Sequence, residues 1–543
     1  MQKNTQRISS HFTRFSWVAI HALALVLALG CCARAHAQAL ATQVDRFEVQ
    51  GNTLLSAQAI DAALAGLRGR MTLLDIQGAA QRLQAAYRRA GYGAVVVQVP
   101  VQTMADRVVR LEVIEGRLSQ VQIAGLRAFS RENILRGLPA LKPDTTPDLA
   151  ALDSELLMVN ENPAKSVRVV FQPGEKKAQV ESLVVVEEQP IERWQMGLDN
   201  TGNDSTGQYR AFLGYQNANV ADSDAVLGLR LVTSPEDPSR VAIASGSLRT
   251  PLYPQKLFLE WSALVSNTRN NPNQTPAGEL RFSGEGYSVG ARAIRTLPTL
   301  GEYKQQVSGG VENRKYKNNC SLGSFGAAGC GSAAASVEVF PLTLGYLVQK
   351  PGMLQASAQY VYNLPVGDAG SDADFNAARP GANSHYQLLR FNGAGLSALT
   401  PQWALSWRLD TQYTEKALVS AEQFGAGGAN SVRGYPERAL SGDSGAVGSL
   451  EVRTLATQWL GIDNPDTNLY ASVFADAGTV SNLLGTACMA GRSSCSLWGA
   501  GVGLLWRQGK SLTLRTDVAR AGESINDTKA GDWRLHFSLV YVI

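Results

Sequence analysis

The chain has 543 residues, with 50 Lys and Arg against 46 Asp and Glu. That length predicts more than one domain, and the near balance of charge speaks against a nucleic-acid-binding protein. No run of about 18 apolar residues occurs, so no membrane-spanning helix is expected; a membrane barrel stays open, because alternating strands never make such a run.

Residues 1–37 read as an export signal. Lys3, Arg7 and Arg14 form the basic start, Trp17–Gly30 the apolar middle, and Ala35-His36-Ala37 a small-x-small site before Gln38. A lipoprotein junction at Gly30-Cys31 is the weaker alternative. Four cysteines remain, Cys320 with Cys330 and Cys488 with Cys495, each pair in a Gly/Ser-rich connection. In an oxidising compartment they predict two local disulfides. Neither spacing matches a zinc knuckle and no histidine lies close in sequence, so neither metal nor cofactor is expected.

Residues 38–116 and 117–190 repeat one theme. In the first, Phe47 and Val49 alternate, Gly51-Asn52 turns, and Ile60, Leu64 and Leu67 fall at helical spacing. A second helix carries Ile76, Ala80, Leu83 and Tyr87 on one face and stops at Gly91; strands Ala94–Pro100 and Val108–Ile114 follow. In the second unit, Val121 and Ile123 precede a turn at Gly125. Helices are expected at Arg131–Leu138 and Asp148–Asn160, and strands at Ser166–Gln172 and Gln179–Glu187. Each unit is β-α-α-β-β. The stretches GNTLL (51–55), GYGAVVVQVPVQ (91–102), VIEGRLSQV (113–121) and NENPAKSVRVVFQPGEKK (160–177) resemble POTRA domains. That resemblance implies periplasmic modules whose sheet edges take up an unfolded client through main-chain hydrogen bonds. Plain spacer modules are the alternative.

From 191 to 543 the period becomes two. Trp403, Leu405, Trp407, Leu409 and Tyr413 make an apolar row, while Ser406, Arg408, Asp410 and Gln412 make the opposite one. Alternating runs predict an all-β transmembrane barrel of about sixteen antiparallel strands, many about 9–11 residues long. Connections at Pro251–Lys256 and 350–352 are brief, whereas 268–280, 317–335, 364–384 and 416–446 are long, as periplasmic turns and extracellular loops would be. The last strand, 533–543, keeps its apolar row to the final residue, although Ile543 stands where such barrels commonly end in an aromatic.

Two POTRA-like units ahead of such a barrel resemble the two-partner secretion transporters, the TpsB-type hemolysin secretion/activation family. The resemblance implies a monomer in the outer membrane of a Gram-negative bacterium, built with the barrel-assembly machinery and contacting outer-membrane lipid. It implies one large secreted exoprotein as partner, whether adhesin, cytolysin or contact-dependent toxin. It also implies that loop 416–446 folds into the lumen. The family's loop motif stands here as Val432-Arg433-Gly434-Tyr435 and its wall motif as Phe474-Ala475-Asp476-Ala477-Gly478. Parity puts Phe474, Asp476 and Gly478 on one strand face, away from the apolar row of Ala471, Val473, Ala475 and Ala477. A charge facing lipid costs several kcal/mol, so Asp476 should face inward, where Arg433 can meet it through two parallel hydrogen bonds. A surface-turn arginine and a solvated lumenal aspartate are the bland alternative. The lumen-plugging N-terminal helix that members often carry is not expected, because about six residues separate the signal from the first strand.

Two other signals are set aside. Gly442-Asp443-Ser444-Gly445 looks like a protease nucleophile motif, but the chain after the signal has only His385 and His536, and neither is in that context. Gly499, Gly501 and Gly503 mimic a dinucleotide loop yet lie in alternating strand sequence and open no helix. No enzyme is expected. Alternatives to an exoprotein transporter are an outer-membrane protein assembly factor and, less favoured, a passive porin.

Overall fold

The computed structural model describes residues 41–543, apart from 104, 177, 270–272, 276–277, 323, 325–326, 459, 486 and 490. The expected export signal lies outside the described residues. The chain divides into two compact units. One runs to Leu118 and includes Asp144–Leu149 and Gly174–Val180; the other holds Ser119–Pro143, Ala150–Pro173 and Glu181–Ile543.

In the first unit, strands Arg46–Gln50, Val108–Glu115 and Val95–Gln98 form a sheet in that order, the first pair parallel. Helices Ala57–Leu64 and Leu73–Arg89 start at Ser56 and Thr72, whose hydroxyls accept N-terminal backbone N–H groups. Thr72 and Asp75 complete a capping box. Ile76, Ala80, Leu83 and Tyr87 pack against Val95, Val97, Val109 and Leu111 as the core. One pair was not legible in the sequence: Thr42–Val44 with Gly69–Met71, three residues each and too short to carry a period.

Strands Arg117–Ala124, Gln179–Glu188 and Lys165–Pro173 form a second three-stranded sheet, with helices Arg131–Arg136 and Leu149–Val159. The two modules repeat one turn device. Gly51 (φ +83°) and Gly125 (φ +94°) turn against the carbonyl oxygens of Val113 and Val186, where a Cβ would collide. A carboxylate two residues further along each of those strands holds the turn. Glu115 accepts from the Thr53 N–H at 2.6 Å and the Leu54 N–H at 3.2 Å. Glu188 accepts from Arg127 and Ala128 at 2.9 and 2.7 Å.

Sixteen long strands, from Glu192–Asp199 to Trp533–Val542, pair antiparallel and close into a barrel among the described residues. Asn273–Thr275 extends the Leu257–Arg269 strand as a short piece of its own. Closure pairs Ser538 with Asp199 and Val542 with Gln195, and the Ile543 N–H reaches the Trp194 carbonyl at 2.9 Å. The apolar rows face out: Trp261, Tyr413, Val473, Trp533 and Leu535 are exposed.

Two expected loops, 268–280 and 317–335, are strand in part. Gly278–Leu300 and Tyr303–Leu322 run 23 and 20 residues and stay paired as far as Leu280 with Leu322. Ladder hydrogen bonds need no apolar face, so pairing continues where apolar alternation in the sequence ends. Connection 364–384 contains a capped helix, Asp372–Ala378, and loop 416–446 ends early because the next strand starts at Ser444.

Candidate functional site

Alternation fixes the wall first. Along strand Thr467–Ser481, Val473, Ala475 and Ala477 are exposed, whereas Phe474, Asp476 and Gly478 are buried. Register then lays three inward rows across the neighbouring strands: Ser449–Asp476–Gly499–Ala521, Glu451–Phe474–Gly501–Ala519, and Ser472–Gly503–Asp517–His536. Each row carries one glycine from strand Ser494–Gln508.

Loop 416–443 descends onto this wall. A short hairpin, Phe424–Ala426 with Leu440–Gly442, brackets the tip. Gly434 has φ +98°, a left-handed conformation that suits glycine, and its N–H donates to His536 Nε2 at 3.1 Å. Val432 and Tyr435 are fully buried with Ala426, Leu440, Val480 and Leu497. The Tyr435 hydroxyl accepts from the Glu523 N–H at 2.8 Å and donates toward the Trp498 carbonyl at 3.0 Å.

Arg433 is the centre. Its Nε lies 2.7 Å from Asp476 Oδ2 and its Nη2 2.8 Å from Oδ1, a two-bond fork. Its backbone N–H also donates to Oδ2, at 3.1 Å. The remaining Nη1 meets Glu451 Oε2 at 3.1 Å and Asp517 Oδ1 at 3.5 Å. Its guanidinium carbon stands 3.2 Å from the centre of the Phe474 ring. Ser449 donates to Asp476 Oδ1 at 2.6 Å, and Arg515 pairs with both Asp517 and Glu451. One loop cation therefore faces carboxylates from three strands. The guanidinium fits because it can present a fork to one carboxylate and a further N–H to others, which an ammonium cannot.

The sequence reading named Val432, Arg433, Gly434, Tyr435, Phe474, Asp476 and Gly478, and the structure brings all seven into this seat. Glu451, Asp517 and Arg515 also belong to it, and so does His536, which the sequence offers only as a protease base. Strand parity, which puts Asp476 inward, puts Glu451 and Asp517 inward as well. A second cluster at the base of the loop was also missed. Asp443, set aside with the protease-like motif, is fully buried and takes both terminal nitrogens of Arg379, one at 2.9 Å. It also accepts the N–H groups of Leu418 and Leu483. Glu422, equally buried, meets Arg314 at 2.8 Å and the Tyr316 hydroxyl at 3.2 Å. Ser444 serves strand pairing, bonding to the backbone of Thr414. Cys320 is bonded to Cys330 and Cys488 to Cys495, the latter pair beside the seated loop.

A family model described as haemolysin secretion/activation protein ShlB/FhaC/HecB matches residues 181–505, and one described as POTRA domain, ShlB-type, matches residues 42–116. The heme/hemopexin transporter protein HuxB of Haemophilus influenzae (strain 86-028NP) is 20% identical over 470 residues, 83% of this chain and 78% of that protein. The outer membrane transporter CdiB of Escherichia coli O6:K15:H31 is 24% identical over 417 residues, 74% of this chain and 67% of that one. The solved structure of CdiB from Escherichia coli has a TM-score of 0.77 at 17% identity, covering 94% of this chain and 92% of its own, which establishes the shared fold.

Proposed function

The chain belongs to the haemolysin secretion/activation family ShlB/FhaC/HecB, outer-membrane transporters that carry an exoprotein from periplasm to surface, and on that premise we propose that the client passes beside a lumenal loop that stays seated. The two-partner secretion barrel thus has two inner sides with separate tasks. Loop 416–443 rests on the wall of strands 444–542 through Arg433, Gly434 and Tyr435. The opposite inner wall carries Gly214, Gly228, Ser247, Ser262 and Ser288 around a cavity of about 490 Å³. Phe212, Arg230 and Glu312 also line it, so the room for an extended polypeptide lies over the small side chains between them.

The observation that carries this reading is the Arg433–Asp476 fork with its flanking carboxylates. Breaking a buried pair by losing one partner costs about 3–5 kcal/mol. Pulling the loop out would also expose the Val432–Tyr435–Leu440 cluster, so unseating the loop at each export event is expensive. Capture of the client falls to the outer strands of the periplasmic modules, where an unpaired ladder accepts an extended chain. Each chain closes its own barrel, so one chain suffices for the pore, and the reading takes it as a monomer serving one exoprotein.

A cross-link tests it. A Cβ at Gly478 would lie 3.4 Å from the Ala426 Cβ, within disulfide reach. Ala426→Cys with Gly478→Cys, oxidised, pins the loop to the wall. Export of one large surface protein that is absent without the transporter, and undiminished by the cross-link, supports passage beside the seated loop. Export that stops on oxidation and returns on reduction overturns it and requires the loop to move.

A further inference from the structure

We propose that Lys165 and Asp224 are positioning residues for transport, a buried ion pair that holds the second module over the periplasmic mouth of the barrel in one orientation. Lys165 opens strand Lys165–Pro173, and Asp224 lies in the turn between barrel strands Arg210–Val220 and Ala225–Thr233. Their side chains are 0% and 2% exposed. Lys165 Nζ sits 2.6 and 2.8 Å from the two carboxylate oxygens, donates to Asn133 Oδ1 at 2.9 Å and stands over the Phe129 ring. Asp224 also accepts from the Tyr253 hydroxyl at 2.6 Å, in the next periplasmic turn.

A ring of amides completes the joint. Asn133 Nδ2 donates to the Asp222 carbonyl at 2.9 Å and Asn162 Nδ2 to the Ala218 carbonyl at 2.7 Å. The Asp224 N–H donates to Asn219 Oδ1 at 3.1 Å. Burial pulls the Lys165 pKa down although Asp224 pulls it up, and burial raises that of Tyr253. A well-packed apolar contact would give as much cohesion without that desolvation. What the polar joint adds is direction: a tilt of the module leaves a buried ammonium, a carboxylate and several amides without partners at once.

Orientation matters at this place because the joint borders the lumen. A cavity of about 370 Å³ is lined by Glu161 and Asn162 of the module and by Gln216, Ser247 and Arg249 of the inner wall. Arg249 reaches Glu161 at 3.5 Å across it. The module's helix end at Met158–Pro163 thus faces the lumenal opening, and a client leaving the module meets the inner wall directly. This inference rests on the transporter reading above.

The test uses the full-length protein in the outer membrane with Lys165→Met and Asp224→Asn combined, so that neither charge is left alone. Barrel abundance, heat-modifiable mobility, client cross-linked to the modules and client at the surface are measured together. The expected result is normal abundance and retained capture, with client stalled in the periplasm and export lost. Export at the wild-type level, or loss of capture along with export, overturns the proposal. Should abundance fall, Tyr253→Phe removes only one hydrogen bond to Asp224 and is read by the same capture-to-export ratio. If the wild type itself exports nothing that a strain lacking it fails to export, the transporter reading fails and not merely the joint.

Discussion

Gly499 faces the carbonyl oxygen of Arg433 so closely that a Cβ at 499 would overlap it. The run Gly499, Gly501, Gly503 is therefore a recessed track on the barrel wall. Gly501 leaves space for the Phe474 ring, whose Cζ would be 2.8 Å from an added Cβ, and Gly503 makes room for the Asp517 carboxylate. A motif that mimics a nucleotide loop thus serves to let a loop backbone approach a strand.

Gly499→Ala is expected to lift the tip of the loop off the wall. Its clash is with backbone, which has no rotamer to yield, so about 1–3 kcal/mol of seating energy is lost. Gly309→Ala is the control, since an added Cβ there meets nothing within 4 Å. Single-channel conductance should become larger or noisier for the first variant and stay unchanged for the second. Equal traces from both would mean that Gly499 has no such task.

Arg433→Lys separates charge from shape. The ammonium keeps the positive charge among Asp476, Glu451 and Asp517 but gives up one arm of the fork, at about 1.5–3 kcal/mol. Arg433→Ala leaves Glu451 and Asp517 with Arg515, and Asp476 with the Ser449 hydroxyl in place of its fork, and about 3–5 kcal/mol is expected. Denaturant midpoints of the purified barrel should order as wild type, lysine, alanine. Lysine matching wild type would show that charge alone holds the loop.

The barrel was legible because lipid on one face and lumen on the other impose a period of two, and because a buried charge on such a strand has only one affordable side. Asp476 could be read in that way. The loop motif was readable only through family resemblance: Arg433 lies in glycine-rich sequence with no periodicity. Arg379 and Asp443, 64 residues apart, carry no local pattern, so nothing in the sequence couples them. Only the ends of the longest strands, 278–280 of Gly278–Leu300 and 317–322 of Tyr303–Leu322, fall in stretches that read as loops, because their sequence no longer alternates.

Tyr435→Phe tests the far end of the seat. The hydroxyl accepts the Glu523 N–H, linking the lumenal loop to the connection that precedes the last strand. Without it that amide loses its partner, at about 1–3 kcal/mol. Amide exchange should accelerate at residues 522–524, with the Arg433 amide still protected. Unchanged exchange at Glu523 would show that another acceptor holds the turn.

The base of the loop is expected to open independently of its tip. Arg379 follows the helix Asp372–Ala378 of an outer connection, and Asp443 ends the loop, so their pair ties one to the other. Arg379→Met removes the buried cation. Asp443 keeps the Leu418 and Leu483 N–H groups, but its charge goes unmatched, and about 3–5 kcal/mol of local stability should go with it. Since Arg433 and Asp476 share none of these partners, the seat itself should hold. In intact cells, added protease should then cut within 365–386, while the Ala426→Cys/Gly478→Cys cross-link still forms in the same background. Arg433→Ala should give the opposite pattern, with the cross-link lost and the outer connection protected. If either variant loosens both regions alike, base and tip form one cooperative unit, and the loop can be released from outside by whatever displaces the outer connection.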